Sequence, residues 1–213
     1  MNVNLHLLNA SGSLSQFEKE IKSEFSAAVS EISKIIKLVN VDIVIYDNPE
    51  GAIPEIGLGG YTQNDNLIFI PIDPKFANLP KSIKENLKRT MAHELHHVMR
   101  WRKVGYGNTL LEAIITEGLA DNFDLEVFGG NPPLHCQALK ENEIKNLLSK
   151  AKNEFDDIKY DHNAWFFGSK EKNIPRWTGY SLGFYLVNNY LKKNPKAKPS
   201  AIYEKPAKDF LLL

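Results

Sequence analysis

His93-Glu94-Leu95-His96-His97 is an H-E-x-x-H pentapeptide, built from residue types that bind a divalent metal and move a proton beside it. At about 100° per residue, His93 and His97 fall one turn apart on one face of a helix, so both imidazoles can grip a single Zn²⁺. Glu94 sits beside them, where its carboxylate can reach a metal-bound water and serve as general base. A third ligand is expected on the next helix. There Leu110, Ile114, Leu125 and Phe128 make an apolar stripe that Glu117 and Asp121, one turn apart, interrupt. An ionised carboxylate on such a face is costly unless it is paired or metal-bound. Glu117 completes a two-His, one-Glu set, and Asp121 can accept the free N–H of a ligating His. Glu112 is the rival ligand, although it lies about 140° around the helix from Glu117. Salt bridges from Glu117 and Asp121 to Arg100 or Arg102 are the structural alternative.

Hydrolysis at such a site also calls for a donor to the oxygen on which charge develops. Tyr180 is the first choice: it begins a helix just after Gly179 and beside Arg176, and Gly183 leaves room for a close backbone approach. His162 and Arg176 are the alternatives, and simple packing is the competing reading of a tyrosine in an aromatic-rich segment. His135 and His162 otherwise read as ordinary loop histidines. The glycine-loosened stretch Gly57 to Thr62 is open to two readings, an edge strand beside the metal to which an extended substrate adds, or a hairpin whose glycines serve tight turns. Lys84, Lys88, Arg89, Arg100, Arg102 and Lys103 are spread around their helix and read as a solvated surface.

The elements that must position these groups follow from hydrophobic period. Val3, Leu5 and Leu7 alternate as a short strand does, and Ser13 or Ser15 can cap a helix carrying Phe17, Ile21, Phe25, Ala28, Ile32, Ile35 and Ile36. Val41 to Tyr46 predicts a second strand, stopped by Asn48-Pro49-Glu50-Gly51. Tyr61-Thr62, the turn Asn64-Asp65-Asn66 and Leu67 to Ile72 predict a hairpin that Pro71 and Pro74 end. After Pro80 the period becomes helical, over about 82–103, 109–128, 139–155 and 178–191. Gly129-Gly130-Asn131-Pro132-Pro133 breaks the helices, and the aromatic stretch Tyr160 to Arg176 reads as a packed loop. The expected class is therefore α+β in one domain, 1–213, with a β-rich part over 1–80 and a helical part over 81–213 that carries the metal site.

Composition bounds what the site can serve. The 213 residues are 43% hydrophobic and 24% charged, with 26 Lys+Arg against 26 Asp+Glu, so there is no sequence-wide pull toward phosphates or anionic lipid. Nucleic-acid and membrane partners are not expected. With one Cys, Cys136, no internal disulfide and no Cys-rich zinc cluster can form, and His and carboxylates must hold any metal. Met1 to Ala10 shows no secretory pattern and no apolar run approaches membrane-spanning length, so a cytoplasmic protein is expected.

His93-Glu94-x-x-His97, followed twenty residues after His97 by Glu117 and then by Asp121, resembles the gluzincin arrangement of thermolysin-like zinc peptidases. The wider run Ala92 to His97, Glu112-Ala-Ile-Ile-Thr-Glu117-Gly-Leu-Ala-Asp121 and Trp177-Thr-Gly-Tyr180-Ser-Leu-Gly183 resembles a bacterial family of predicted Zn-dependent proteases of the YjaZ type. The resemblance implies a zincin-like fold, a small mixed sheet packed on the active-site helix and a mainly helical second half. It implies His93, His97 and Glu117 as zinc ligands, Glu94 as general base, Asp121 as a supporting residue, and a peptide or protein as substrate. Two features depart from thermolysin-like enzymes: Thr116 stands where Asn usually precedes the ligand Glu, and no matching motif supplies the later His that steadies the oxyanion. Two other functions remain compatible with the residues. One is a zinc-stabilised binding or regulatory protein closed by a fourth ligand such as His96. The other is a zinc hydrolase of a non-peptide amide, although the upstream Cys ligand of peptide deformylase is absent.

Overall fold

The computed structural model describes residues 2–211. Met1, which opens the Met1–Ala10 segment, and Leu212 and Leu213, which end the 1–213 domain span, lie outside the described residues. The chain is α+β and divides into two compact units, residues 1–102 and 103–213.

In the first unit, β1 (Val3–Leu8), β2 (Val41–Asp47), β3 (Tyr61–Asn64) and β4 (Leu67–Ile72) form a mixed sheet in the order β1-β2-β4-β3. β2 is parallel to β1 and to β4, and β3 turns back antiparallel on β4 at the sheet edge. Parallel neighbours need a crossover, which α1 (Glu18–Ser33) supplies between β1 and β2. Alternation puts Ile43, Ile45, Ile68, Ile70 and Ile72 out of contact with solvent, as are Ile21, Ala28 and Ile32 of α1. The expected serine cap of α1 is replaced. A 3-10 turn over Ser15–Phe17 leads into the helix with no side-chain cap, while Ser13 donates to Asp47 at 2.6 Å and Ser15 accepts from Asn9 at 3.0 Å. Nor does Pro71 end the hairpin, for β4 runs through it to Ile72. Pro71 has no N–H to give, yet its carbonyl accepts from the Gly59 N–H at 3.0 Å, so pairing survives where only an acceptor is needed.

Helical structure then begins with α2 (Leu79–Ser82), widens into a π-turn over Ile83–Leu87 and continues as α3 (Lys88–Val104). Ile83, Leu87, Met91, Leu95 and Val98 are all buried, as the period predicts. The solvated reading of the basic cluster fails at Arg100, which is 2% exposed because α3 buries more than one face: His96 and His97 are buried too. Arg102 donates to the carbonyls of Asp65 (2.8 Å) and Asn40 (2.9 Å) within the first unit.

The second unit consists of α4 (Leu110–Phe128), α5 (Glu141–Lys152), α6 (His162–Phe167), α7 (Thr178–Lys193) and α8 (Pro199–Ile202). α4 is buried all round from Leu110 to Asp124 except at Glu112, whereas Leu125 and Phe128, expected on the apolar stripe, are half-buried. The stripe misjudges α4 because a helix buried on nearly every side has no single core face. Tyr160 to Arg176 is packed, with Trp165 and Phe166 fully buried, but it holds a helix, α6, started by Asp161 accepting from the Ala164 N–H at 3.0 Å. Among the described residues no helix is long and apolar enough to cross a membrane.

α4 and α7 cross backbone to backbone at Gly118 and Gly183. A Cβ on Gly183 would run into the carbonyl oxygen of Ile114 and lie 2.9 Å from the Gly118 nitrogen. Backbone cannot swing aside as a side chain can, so Gly183→Ala must push two helices apart. It is expected to cost about 1–3 kcal/mol, read as a Tm several degrees lower in thermal denaturation. An unchanged Tm would show that the crossing is slack.

Candidate metal centre

α3 presents its pair as the period predicts. The Nε2 atoms of His93 and His97 face one another at 2.9 Å, with the rings edge to face and centroids 4.6 Å apart. Two nitrogens on one tetrahedral zinc, at about 2.0–2.1 Å each, stand about 3.3 Å apart. The pair therefore needs only a few tenths of an ångström of adjustment to share an ion. Glu94 is 5% exposed, and the Thr62 hydroxyl of β3 donates to its Oε2 at 2.7 Å and to its main-chain carbonyl at 3.1 Å. On the other side lies Gly60, where a Cβ would collide with Oε1 and stand 2.8 Å from Cγ. Of the glycines in this stretch, Gly57 does serve a turn, at φ +70 and bonded back to Ile53, whereas Gly60 makes room for the Glu94 carboxylate. His96 is buried, and among the described residues it joins no cluster of three or more converging His, Cys, Asp or Glu ligand atoms.

On α4, Glu117 is 5% exposed and its Oε1 accepts from the Tyr106 hydroxyl at 2.5 Å. Desolvation, together with the Glu117 charge, holds the Tyr106 phenol well above its usual range, so it stays a donor. Thr116, where thermolysin-like enzymes have Asn, fixes this tyrosine from behind by donating to its carbonyl at 2.7 Å. The Tyr160 phenol is pushed up to about 12 by burial and by the charges of Glu117 and Glu112. Its hydroxyl meets His162 Nδ1 at 3.1 Å, and burial lowers the His162 pKa against the pull of Glu117 and Asp161. His162 is a member of α6 stacked on Phe166 at 4.4 Å, so it is not a loop residue.

Glu112, the rival ligand, is occupied elsewhere. With Thr109 it makes a capping box at the start of α4, its Oε2 accepting from the N–H groups of Asn108 (2.8 Å) and Thr109 (3.0 Å). The T-x-x-E spacing of 109–112 carries that signal in the sequence.

Asp121 is fully buried, and its Oδ1 lies 2.8 Å from Nε2 of His135. Burial raises the neighbouring Cys136 thiol well above its usual range, and Asp121 adds to the effect. His135 is thus no ordinary loop histidine. Ser181 of α7 donates to its carbonyl at 2.8 Å, and its ring lies 4.7 Å from that of Tyr180. Tyr180 meets Phe166 edge-on at 5.1 Å on another side, an approach made possible by Gly179, whose Cβ would strike the Phe166 ring. Arg176 is exposed, its guanidinium 3.9 Å over the ring of Trp177, which holds a left-handed backbone at φ +67. Thr62, Tyr106 and His135 are the contacts that sequence reasoning misses.

Two imidazoles, a carboxylate next to the first of them, and a buried glutamate on a separate helix are the donor and base types of a hydrolytic zinc site of the His₂Glu class. The chain belongs to the family described as predicted Zn-dependent protease (DUF2268), whose model matches residues 21–212 and so takes in all of α3, α4 and α7. No match was found among curated proteins or among solved structures.

Proposed function

We propose that the protein is a zinc metallopeptidase of the gluzincin type, with a zincin-like fold, working as one catalytic domain over 1–213 on peptide or protein substrates in the cytoplasm. The observation that carries this reading is the facing pair of Nε2 atoms, His93 and His97 at 2.9 Å, on the same helix as the held carboxylate of Glu94. His93, His97 and Glu117 would hold Zn²⁺, with Tyr106 orienting the glutamate. Zinc, when bound, supplies Lewis-acid polarisation of the scissile carbonyl and of the attacking water.

The chain's own residues do the rest. Glu94 takes a proton from the water as its oxygen bonds to the carbonyl carbon, then delivers that proton to the amine nitrogen as the C–N bond breaks. Tyr180, clamped between His135 and Phe166, donates its O–H to the carbonyl oxygen as charge gathers there. Asp121 supports the site by hydrogen bonding, His135 being its neighbour on α4's side.

A peptide library tests the reading. The purified protein is expected to cleave members of it, to stop after dialysis against a chelator, and to recover with one equivalent of Zn²⁺. A zinc-loaded, folded protein that cuts no peptide but hydrolyses simple amides would move the assignment to a non-peptide hydrolase. One that does neither would leave zinc a structural role.

A further inference from the structure

We infer that Thr62 is a positioning residue for Glu94, and that the sheet edge holds one oxygen of this carboxylate so that the other is left for proton transfer. The inference rests on the proposed peptidase reading. A glutamate on a helix has three side-chain torsions and sweeps a wide arc unless something stops it. Here the stop is built from Thr62 of β3 and Gly60 just before that strand. Thr62 is 6% exposed, and its branched Cβ is stiff about χ1. It pairs with Ile68 across the sheet, so strand register fixes where its hydroxyl points. The single proton of that hydroxyl is shared between Oε2 at 2.7 Å and the Glu94 carbonyl at 3.1 Å, with the carboxylate the nearer acceptor. Two residues earlier, Gly60 leaves space that Oε1 occupies and that any side chain would take away. Oε2 is therefore the held oxygen and Oε1 the one free to take and return a proton.

A hydroxyl that merely stapled strand to helix would need only the carbonyl of Glu94. The shorter bond to the carboxylate, with the glycine on its other side, is what orientation of a base requires, since a misplacement of about 1 Å can cost about 10²-fold in rate.

Thr62→Val removes the hydroxyl at nearly constant shape, and Thr62→Ser keeps it. Each is compared with the wild type in the zinc-loaded full chain for zinc content, kcat and KM. Affinity for acetohydroxamic acid is measured by calorimetry, because the acidic proton of this metal-chelating probe must be accepted by the base. For Thr62→Val we expect unchanged zinc content, kcat about 10–100-fold lower at a KM within about twofold, and hydroxamate binding about tenfold weaker. Thr62→Ser should return to within about threefold of wild type. Gly60→Ala, which keeps the hydroxyl but crowds Oε1, should lower kcat in the same range, and it keeps the test open if the valine variant fails to fold. Equal losses in the valine and serine variants would reduce Thr62 to packing, and wild-type values in the valine and alanine variants would overturn the inference. An active Glu94→Gln would instead bring down the peptidase reading itself, so the two failures are distinguishable.

Discussion

Glu94→Gln is expected to keep its zinc and its fold while losing about 10²–10⁴-fold in kcat, the range that general acid–base catalysis contributes. The substitution is nearly isosteric and leaves both imidazoles of α3 in place. An amide oxygen can still accept the Thr62 hydroxyl, so the contact at 2.7 Å has a replacement and the local packing is undisturbed. What disappears is a group able to accept a proton from water and pass it to a leaving amine. KM should change little, because the proton is in flight only in the transition state. Steady-state kinetics on any cleaved peptide, with metal content measured on the same sample, provide the check. Full activity in a zinc-replete Glu94→Gln protein would remove Glu94 as the base.

Glu117→Ala and Glu112→Ala should behave as opposites although the two residues lie five apart on α4. Glu117 is buried, accepts from Tyr106 and is the proposed third ligand, so its removal should weaken zinc binding by more than the roughly 10–100-fold lost when only an outer partner is removed. It also leaves the Tyr106 hydroxyl without the acceptor at 2.5 Å. Glu112→Ala loses the capping box, with its bonds to the Asn108 and Thr109 N–H groups, and should cost about 1 kcal/mol of stability while leaving zinc affinity unchanged. Competition titration with a chromophoric chelator reads the first effect and thermal denaturation the second. Zinc loss in Glu112→Ala at full affinity in Glu117→Ala would exchange the two assignments.

The parts of this protein legible in sequence are those with a local cause. An i, i+4 pair of histidines must share a helix face, so the facing rings of His93 and His97 follow from spacing alone. The compact β-branched run Val41 to Tyr46 and the Asn-Asp-Asn turn signal before Leu67 place the sheet's inner strand and hairpin in the same way. Glu112 and Glu117 separate by angle around the helix, and the cap at Thr109 explains why the former turns away. Illegible parts depend on how separate segments meet. Tyr106 reaches Glu117 only because the loop before α4 is held by Thr116, and His135 reaches Asp121 only after the Gly-Gly-Asn-Pro-Pro break brings a 3-10 turn (Leu134–Gln137) back onto α4. Thr62 touches Glu94 through sheet register, which no pattern within β3 announces. The burial of Arg100 and the passage of β4 through Pro71 belong to the same kind, since each depends on what surrounds the residue.

The claim on which all of this stands is that His93, His97 and Glu117 hold a metal. Its most direct test is the metal content of the purified full chain by mass spectrometry, before and after dialysis with excess Zn²⁺. About one zinc per chain is expected, absent from a His93→Ala, His97→Ala double variant that remains folded. A folded wild-type protein that takes up no zinc even from excess metal would contradict the claim, and the facing imidazoles would then be a hydrogen-bonded pair rather than a metal site.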